Sequence, residues 1–267
     1  MRTRGWATTD VGLKRDHNED SYLCNDSLSL YAVADGMGGH LGGERASRLA
    51  VEILEREIQP VIDSLRDGGK GQGEPLEQHP AAAAMRAAVR LAANVIHEEA
   101  QQRPELSGMG TTLTAALFHG EQISICHVGD SRAYLYREGK ARQLTEDHSW
   151  VQQQIRAGLI SPEDAIVSRF RNVITRSVGF EPEVEPDLLT LPLELGDCLL
   201  LCSDGLSNYV SEAEIAQALT AQFYGEAGKA LIDMANERGG DDNITCVIVY
   251  AGNDTQPWVG PPPKEEK

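Results

Sequence analysis

Five aspartates share one setting: Asp20, Asp35, Asp130, Asp204 and Asp242 each adjoin an apolar run that suits a buried strand, and four of the five have glycine close by. The clearest case is Tyr31-Ala32-Val33-Ala34-Asp35-Gly36-Met37-Gly38-Gly39. Its first residues fit a pleated, buried strand, and no charge appears until Asp35. Gly36, Gly38 and Gly39 can then take positive φ and leave room for a metal or phosphate to approach the main chain. A single Asp-Gly marks a β-turn, but five carboxylates at strand ends of one chain imply strand ends that converge. Gathered like charges raise one another's pKa, and divalent cations relieve them. All-oxygen ligation, with no His or Cys at ligand spacing, selects Mg²⁺ or Mn²⁺ over zinc. Two such ions about 3.5 to 4 Å apart share a water, lower its pKa and clamp the oxygens of an in-line displacement at phosphorus. The expected chemistry is phosphate ester hydrolysis.

The elements that must position these groups can be read along the chain. Trp6 to Gly12 predicts a short strand and turn, and Tyr22-Leu23-Cys24 a strand whose hairpin with the Tyr31 strand brings Glu19-Asp20 beside Asp35. Apolar spacing predicts helices over 43 to about 65 and roughly 80 to 102, an antiparallel pair covering one sheet face, with a flexible glycine-rich loop between them. Strands follow at 108–118, 123–128 and 133–136, with turns at 119–122 and 137–140 that make them antiparallel neighbours. Trp150, Val151, Ile155 and Leu159 predict a helix, and Ser161-Pro162 caps another. Strands return at 188–193 and 197–201, a capping box at Ser211 opens a further helix, another carries Ala230, Leu231 and Met234, and the last strand runs from Ile244 to Tyr250. One catalytic domain over 1–251 is expected, with 145–186 inserted over the site and a polar, proline-rich tail at 252–267 that cannot pack.

Composition limits the partners. With 267 residues, 41% of them hydrophobic, the chain can bury a large core. A net charge of −17 repels nucleic acid, and no apolar run is long enough to cross a bilayer. The opening residues lack the apolar core of a signal peptide, so a cytoplasmic protein without nucleic-acid or membrane partners is expected. The cysteines, Cys24, Cys126, Cys198, Cys202 and Cys246, are odd in number and lie in or beside apolar runs, as small buried hydrophobes of a reducing compartment do.

Arg15-Asp16-His17-Asn18-Glu19-Asp20, Val33-Ala34-Asp35-Gly36-Met37-Gly38-Gly39, Gly110-Thr111-Thr112, Val128-Gly129-Asp130-Ser131-Arg132, Ser203-Asp204-Gly205-Leu206 and Asp242-Asn243-Ile244-Thr245 resemble, in order, the motifs of the metal-dependent protein serine/threonine phosphatases of type 2C in their bacterial form. The resemblance spans about residues 6 to 250. It implies an α+β fold, a four-layer α-β-β-α sandwich of two antiparallel sheets flanked by helix pairs. It implies that Asp35 bridges two Mn²⁺ or Mg²⁺ ions, that the Gly36 carbonyl joins one, and that Asp204 and Asp242 hold the other. Glu19 and Asp20 act through water, and Asp130 with Asp204 matches the place of a weaker third ion. Arg15 matches the phosphate-anchoring arginine, whose planar fork suits a phosphoryl group. Region 145–186 resembles the family's flap, with Arg169, Arg171 and Asn172 toward substrate. Implied substrates are phosphoserine and phosphothreonine proteins, including a cognate Ser/Thr kinase that the enzyme, a monomer, opposes.

Two departures stand out. Ser168-Arg169 replaces the usual His-Pro ahead of Arg-Asn in the flap, and Met37 stands where many eukaryotic members carry a histidine general acid. His40 is the nearest histidine in sequence. Two other readings stay open: a pseudophosphatase that binds phosphoproteins without turnover, and a cysteine-dependent tyrosine phosphatase. Cys126-His127-Val128-Gly129-Asp130-Ser131-Arg132 has the Cys-x5-Arg spacing of the latter. Against it, Arg132 leads into a strand rather than the helix N-terminus that cradles an anion in those enzymes.

Overall fold

The computed structural model describes residues 1–66, 80–222 and 224–253, apart from the side chains of residues 40, 65 and 66. The glycine-rich loop expected at 66–75 and the expected tail lie almost wholly outside the described residues. Twelve strands are described: β1 (Arg2–Asp10), β2 (Ser21–Asn25), β3 (Leu30–Ala34), β4 (Gly36–Met37), β5 (Gly110–Thr111), β6 (Leu113–His119), β7 (Gln122–Val128), β8 (Arg132–Arg137), β9 (Lys140–Gln143), β10 (Asp187–Pro192), β11 (Cys198–Cys202) and β12 (Ile244–Gly252). Seven helices accompany them: α1 (His40–Arg66), α2 (Pro80–Gln102), α3 (Trp150–Arg156), α4 (Pro162–Ile166), α5 (Asp204–Ser207), α6 (Glu212–Ala221) and α7 (Tyr224–Glu237).

The strands form two five-stranded antiparallel sheets, ordered β1-β12-β11-β8-β9 and β10-β7-β6-β3-β2, plus the short pair β4-β5. Alternation along the central strands dictates the layers. In β3, Leu30, Ala32 and Ala34 face α1 and α2, whose Leu49, Ile53, Ile58, Met85 and Ile96 fill that interface. The intervening Tyr31 and Val33 face the opposite sheet, where Leu199, Leu201, Val247 and Val249 meet them. In β11 and β12, Cys198, Leu200, Cys246 and Ile248 turn instead toward α6 and α7, against Ile215, Leu219 and Leu231. Strands apolar on both faces and helices apolar on one produce four layers, α-β-β-α, as expected. None of the described helices is long and apolar enough to cross a membrane.

Register gathers the chemistry at one end. Ser21 pairs with Ala34, so Asp20 and Asp35 emerge together from β2 and β3. Cys202 pairs with both Cys246 and Arg132, which puts Asp204 and Asp130 beside the entrance to β12 and hence beside Asp242. The structure corrects several expectations. β6-β7 and β8-β9 are hairpins, but β7 and β8 lie in different sheets. The chain crosses between sheets at Gly129-Asp130-Ser131, with Gly129 at φ 110° and its Cβ position only 2.5 Å from the Thr112 methyl, so no larger residue fits. α3 stops at Arg156, leaving Leu159 outside it, because Gly158 turns to φ 70°. β1 runs from Arg2 and pairs along its length with β12, whose last residue, Gly252, opposes Arg2.

Candidate metal centre

Asp35 is fixed through its main chain. Its N–H donates to Thr112 Oγ1 at 2.9 Å, while its carbonyl accepts from Thr112 N at 2.9 Å and Thr111 Oγ1 at 2.8 Å. Thr112 Oγ1 also shares a hydrogen bond with Ser131 Oγ at 2.7 Å, tying Asp35 to the loop that carries Asp130. Gly36 must be glycine: a Cβ would sit 2.2 Å from Gly43 O and 2.5 Å from Glu19 O. Glu19 is buried, its carbonyl accepts from Ser47 Oγ at 2.6 Å, and a Cβ on Gly43 would displace its Oε2 at 1.9 Å and press on the Gly36 main-chain carbon at 2.9 Å.

Asp20 and Asp204 are each held by one oxygen and present the other, whereas both oxygens of Asp242 accept hydrogen bonds. Asp20 Oδ2 accepts from Ser203 Oγ at 2.9 Å, and Asp204 Oδ2 from Asn208 Nδ2 at 3.1 Å. Ser203 takes the N-cap position of α5 without capping it; its Oγ accepts instead from Thr245 N at 2.9 Å. Asp242 Oδ2 accepts from Arg15 Nη2 at 2.7 Å. Asp20 Oδ1, Asp130 Oδ1 and Asp204 Oδ1 are buried with no hydrogen-bond partner.

Electrostatics follow from the crowding. Burial, then the charges of Asp20, Asp204, Asp130 and Asp242, push the Asp35 carboxyl well above the ordinary range, which identifies it as the hub. Burial first, with Asp204 and Asp242 adding, raises Asp20 to about 7. Asp130 rises to about 8 through burial and the charges of Asp204 and Asp147, and Asp204 rises through burial and Asp242. Glu19, Asp35, Asp130, Asp204, Asp242 and Gly36 border a cavity of about 320 Å³ shared with Arg15, Met37, Asn172 and Ile174, whereas Asp20 lies outside its lining and borders a separate cleft beside Arg48 and Glu55. Among the described residues, no three ligand side chains are already closed on one point; they ring a space. Orphaned carboxylate oxygens are costly unless a cation meets them. An all-oxygen set of this kind fits hard divalent ions.

The flap residues divide. Asn172 lines the metal cavity and, with Arg171, an adjoining cleft of about 600 Å³. Arg169 packs over the Phe170 ring, 4.6 Å from its centroid, and borders neither cavity. The flap is anchored by Trp150 N to Val173 O at 2.8 Å and by Thr111–Val178 main-chain bonds. The His40 side chain lies outside the described residues, and among those described no histidine lines the metal cavity. The cysteine alternative fails on geometry. Cys126 is fully buried facing α2, burial pushes its thiol up, and the Arg132 guanidinium is held bidentately by Asp147 at 2.8 and 2.7 Å.

Two sets of functional partners escaped the sequence reading. Thr112 with Ser131, and separately Ser203 and Ser47, are small hydroxyls that give no periodic signal; Thr112, Ser131 and Ser203 stood inside the quoted motifs without a role of their own, and Ser47 left no trace.

Known proteins resemble this chain over most of its length. Residues 14–244 match the family model Protein phosphatase 2C. The chain is 40% identical over 255 residues to the serine/threonine protein phosphatase PstP of Mycobacterium tuberculosis, covering 94% of this chain and 46% of that one. It therefore spans about half the length of that relative. It is 39% identical over 245 residues to the serine/threonine phosphatase stp of Listeria monocytogenes, covering 90% and 93%. The crystal structure of M. tuberculosis PstP superposes with a TM-score of 0.83 at 38% identity, covering 95% of this chain and 100% of that one. A structure of the PstP catalytic domain in complex with two manganese ions gives 0.79 at 39% identity, covering 94% and 99%. The chain belongs to the protein phosphatase 2C family.

Proposed function

We propose that residues 1–251 form a metal-dependent phosphoprotein phosphatase that hydrolyses phosphoserine and phosphothreonine. The observation that carries this reading is the pair of buried, unpartnered oxygens of Asp130 and Asp204 in a cavity that also holds Asp35 and Arg15, with a third such oxygen on Asp20 beside Asp35. Asp35, the Gly36 carbonyl, Asp204 and Asp242 would hold two Mn²⁺ or Mg²⁺ ions, with Glu19 and Asp20 acting through water and Asp130 with Asp204 holding a weaker third. The two manganese ions of the PstP catalytic domain support that count. When bound, the ions supply the Lewis acidity that makes hydroxide available near neutral pH and offset charge during in-line displacement at phosphorus.

The chain's own groups supply the rest. Arg15 sits on the cavity wall with a forked donor suited to two phosphoryl oxygens. Asp35, held by three main-chain bonds, stays fixed while charge moves beside it. Asn172 and Arg171 face the path along which the phosphorylated segment enters; Arg169, stacked on Phe170, shapes the flap. Met37 cannot donate a proton to the leaving alkoxide, so that proton must come from water or from a histidine such as His40. The chain acts as a cytoplasmic monomer opposing a Ser/Thr kinase.

Turnover of a phosphothreonine peptide should require added Mn²⁺ or Mg²⁺, vanish with chelator and survive Cys126→Ser. Turnover that resists chelator and is lost in a folded Cys126→Ser variant would sink the proposal.

A further inference from the structure

Asn243 carries no charge and is 5% exposed at the entrance to β12. Its amide is used up by the main chain of one loop. Oδ1 accepts from Glu19 N at 2.8 Å, and Nδ2 donates to Val11 O and to His17 O, both at 2.9 Å. One acceptor and two diverging donors on a short side chain is a combination only asparagine offers; aspartate has the shape and lacks the donors. Because every partner is a main-chain atom, the amide fixes the path of the loop whatever its sequence.

That loop carries Arg15 between the bonded positions. The turn before Asn243 grips the loop's first half: Gly240 O accepts from Leu13 N at 2.8 Å and Lys14 N at 3.2 Å. Gly12, at φ 79°, brings its Cβ position within 2.1 Å of Asp242 O, so the two segments touch at backbone distance. The Arg15 guanidinium then ends on Asp242 itself. Asp35 and Asp204 depend on none of these bonds, being held by Thr112 and Asn208. The Asp242 carboxylate is set partly by the main-chain N–H of residue 243, at 2.9 Å, which any substitution but proline keeps.

We propose that Asn243 is a positioning residue for phosphate binding: its amide sets the Val11–Glu19 loop so that Arg15 stands ready beside the carboxylates. The assignment rests on the phosphatase reading. In Asn243→Ala the loop loses all three ties, and Arg15 must be ordered at the expense of binding. In Asn243→Asp the bond from Glu19 N survives and only the ties at Val11 and His17 are lost.

The test is calorimetric titration of inorganic phosphate into the full chain loaded with Mn²⁺, alongside Mn²⁺ stoichiometry. Asn243→Ala should weaken phosphate binding about tenfold, as Arg15→Ala does. Mn²⁺ stoichiometry should be unchanged, and the double variant should bind no more weakly than Arg15→Ala alone. If Asn243→Ala does not fold, Asn243→Asp carries the same comparison. A further loss in the Arg15→Ala background would then mark charge repulsion and overturn the assignment. Wild-type affinity in the Asn243 variants, or losses that add to that of Arg15→Ala, would overturn it too. Failure of the Mn²⁺-loaded wild type to bind phosphate would instead remove the phosphatase reading, and this assignment with it.

Discussion

Replacing Asp20 by asparagine should stabilise the metal-free protein at alkaline pH and lessen the stability that Mn²⁺ adds. Burial and the neighbouring carboxylates raise Asp20 to about 7. A carboxyl whose folded pKa is raised contributes stability that is full below its unfolded value near 4 and is lost as pH rises through about 7. At pH 8 the ionised form therefore costs about 4 kcal/mol relative to the unfolded chain. Asparagine removes that cost, keeps an oxygen for Ser203 and adds a buried NH₂ that costs about 1 to 2 kcal/mol. Asp20 as a residue is only half-buried, so solvent screening discounts the gain. A net gain of about 2 kcal/mol remains, about 4 to 8 °C in Tm for a domain of this size. At pH 5 wild-type Asp20 is already protonated and the gain disappears. With Mn²⁺ at about 100 times its Kd, the wild type gains about 2.7 kcal/mol, and the variant, short of a carboxylate, gains less. Differential scanning calorimetry at pH 5 and pH 8, with chelator and with Mn²⁺, reads all four states. If the Tm difference between variant and wild type in chelator is the same at both pH values, buried charge is not what raises the Asp20 pKa.

Thr112→Val keeps the shape of the side chain but strands the Asp35 N–H and the Ser131 hydroxyl. Urea unfolding should show a loss of about 2 to 4 kcal/mol, against under about 1 kcal/mol if those groups find other partners. Gly205→Ala forces a Cβ to within 2.0 Å of the Asn243 carbonyl. The main chain beside Asp204 and Asp242 must move, so thermal melts should register a loss of about 2 kcal/mol or more and Mn²⁺ affinity should fall. A variant with wild-type Tm and Mn²⁺ affinity would show that this contact relaxes freely.

Much of this architecture is readable from residue types, and the exceptions have a common cause. Asp35, Asp204 and Asp242 were legible because each ends or begins a run of side chains buried on both faces, where a charge has no structural reason to be. α1 and α2 were legible because Leu49, Ile53, Ile58, Met85 and Ile96 repeat at helical spacing; only the start of α1 fell three residues earlier, through glycines that disguise it. The passage from β7 to β8 was not legible. Gly129-Asp130-Ser131 is as short as a hairpin turn, and whether the next strand pairs locally or joins the other sheet depends on β11, far along the chain. Leu159 has the right spacing for α3, but glycine conformation rather than periodicity ended that helix. The hydroxyls of Thr112, Ser131 and Ser203 were silent for a different reason. Their partners are remote in sequence, so their value appears only once the strand ends have met.

The most direct test of the central claim is titration of Mn²⁺ into the chelator-stripped chain by isothermal calorimetry, comparing wild type with Asp35→Asn and Asp204→Asn. Two or more equivalents bound by the wild type, with at least one lost in each variant, is the predicted result. No uptake by the wild type, or undiminished stoichiometry in both variants, would contradict it.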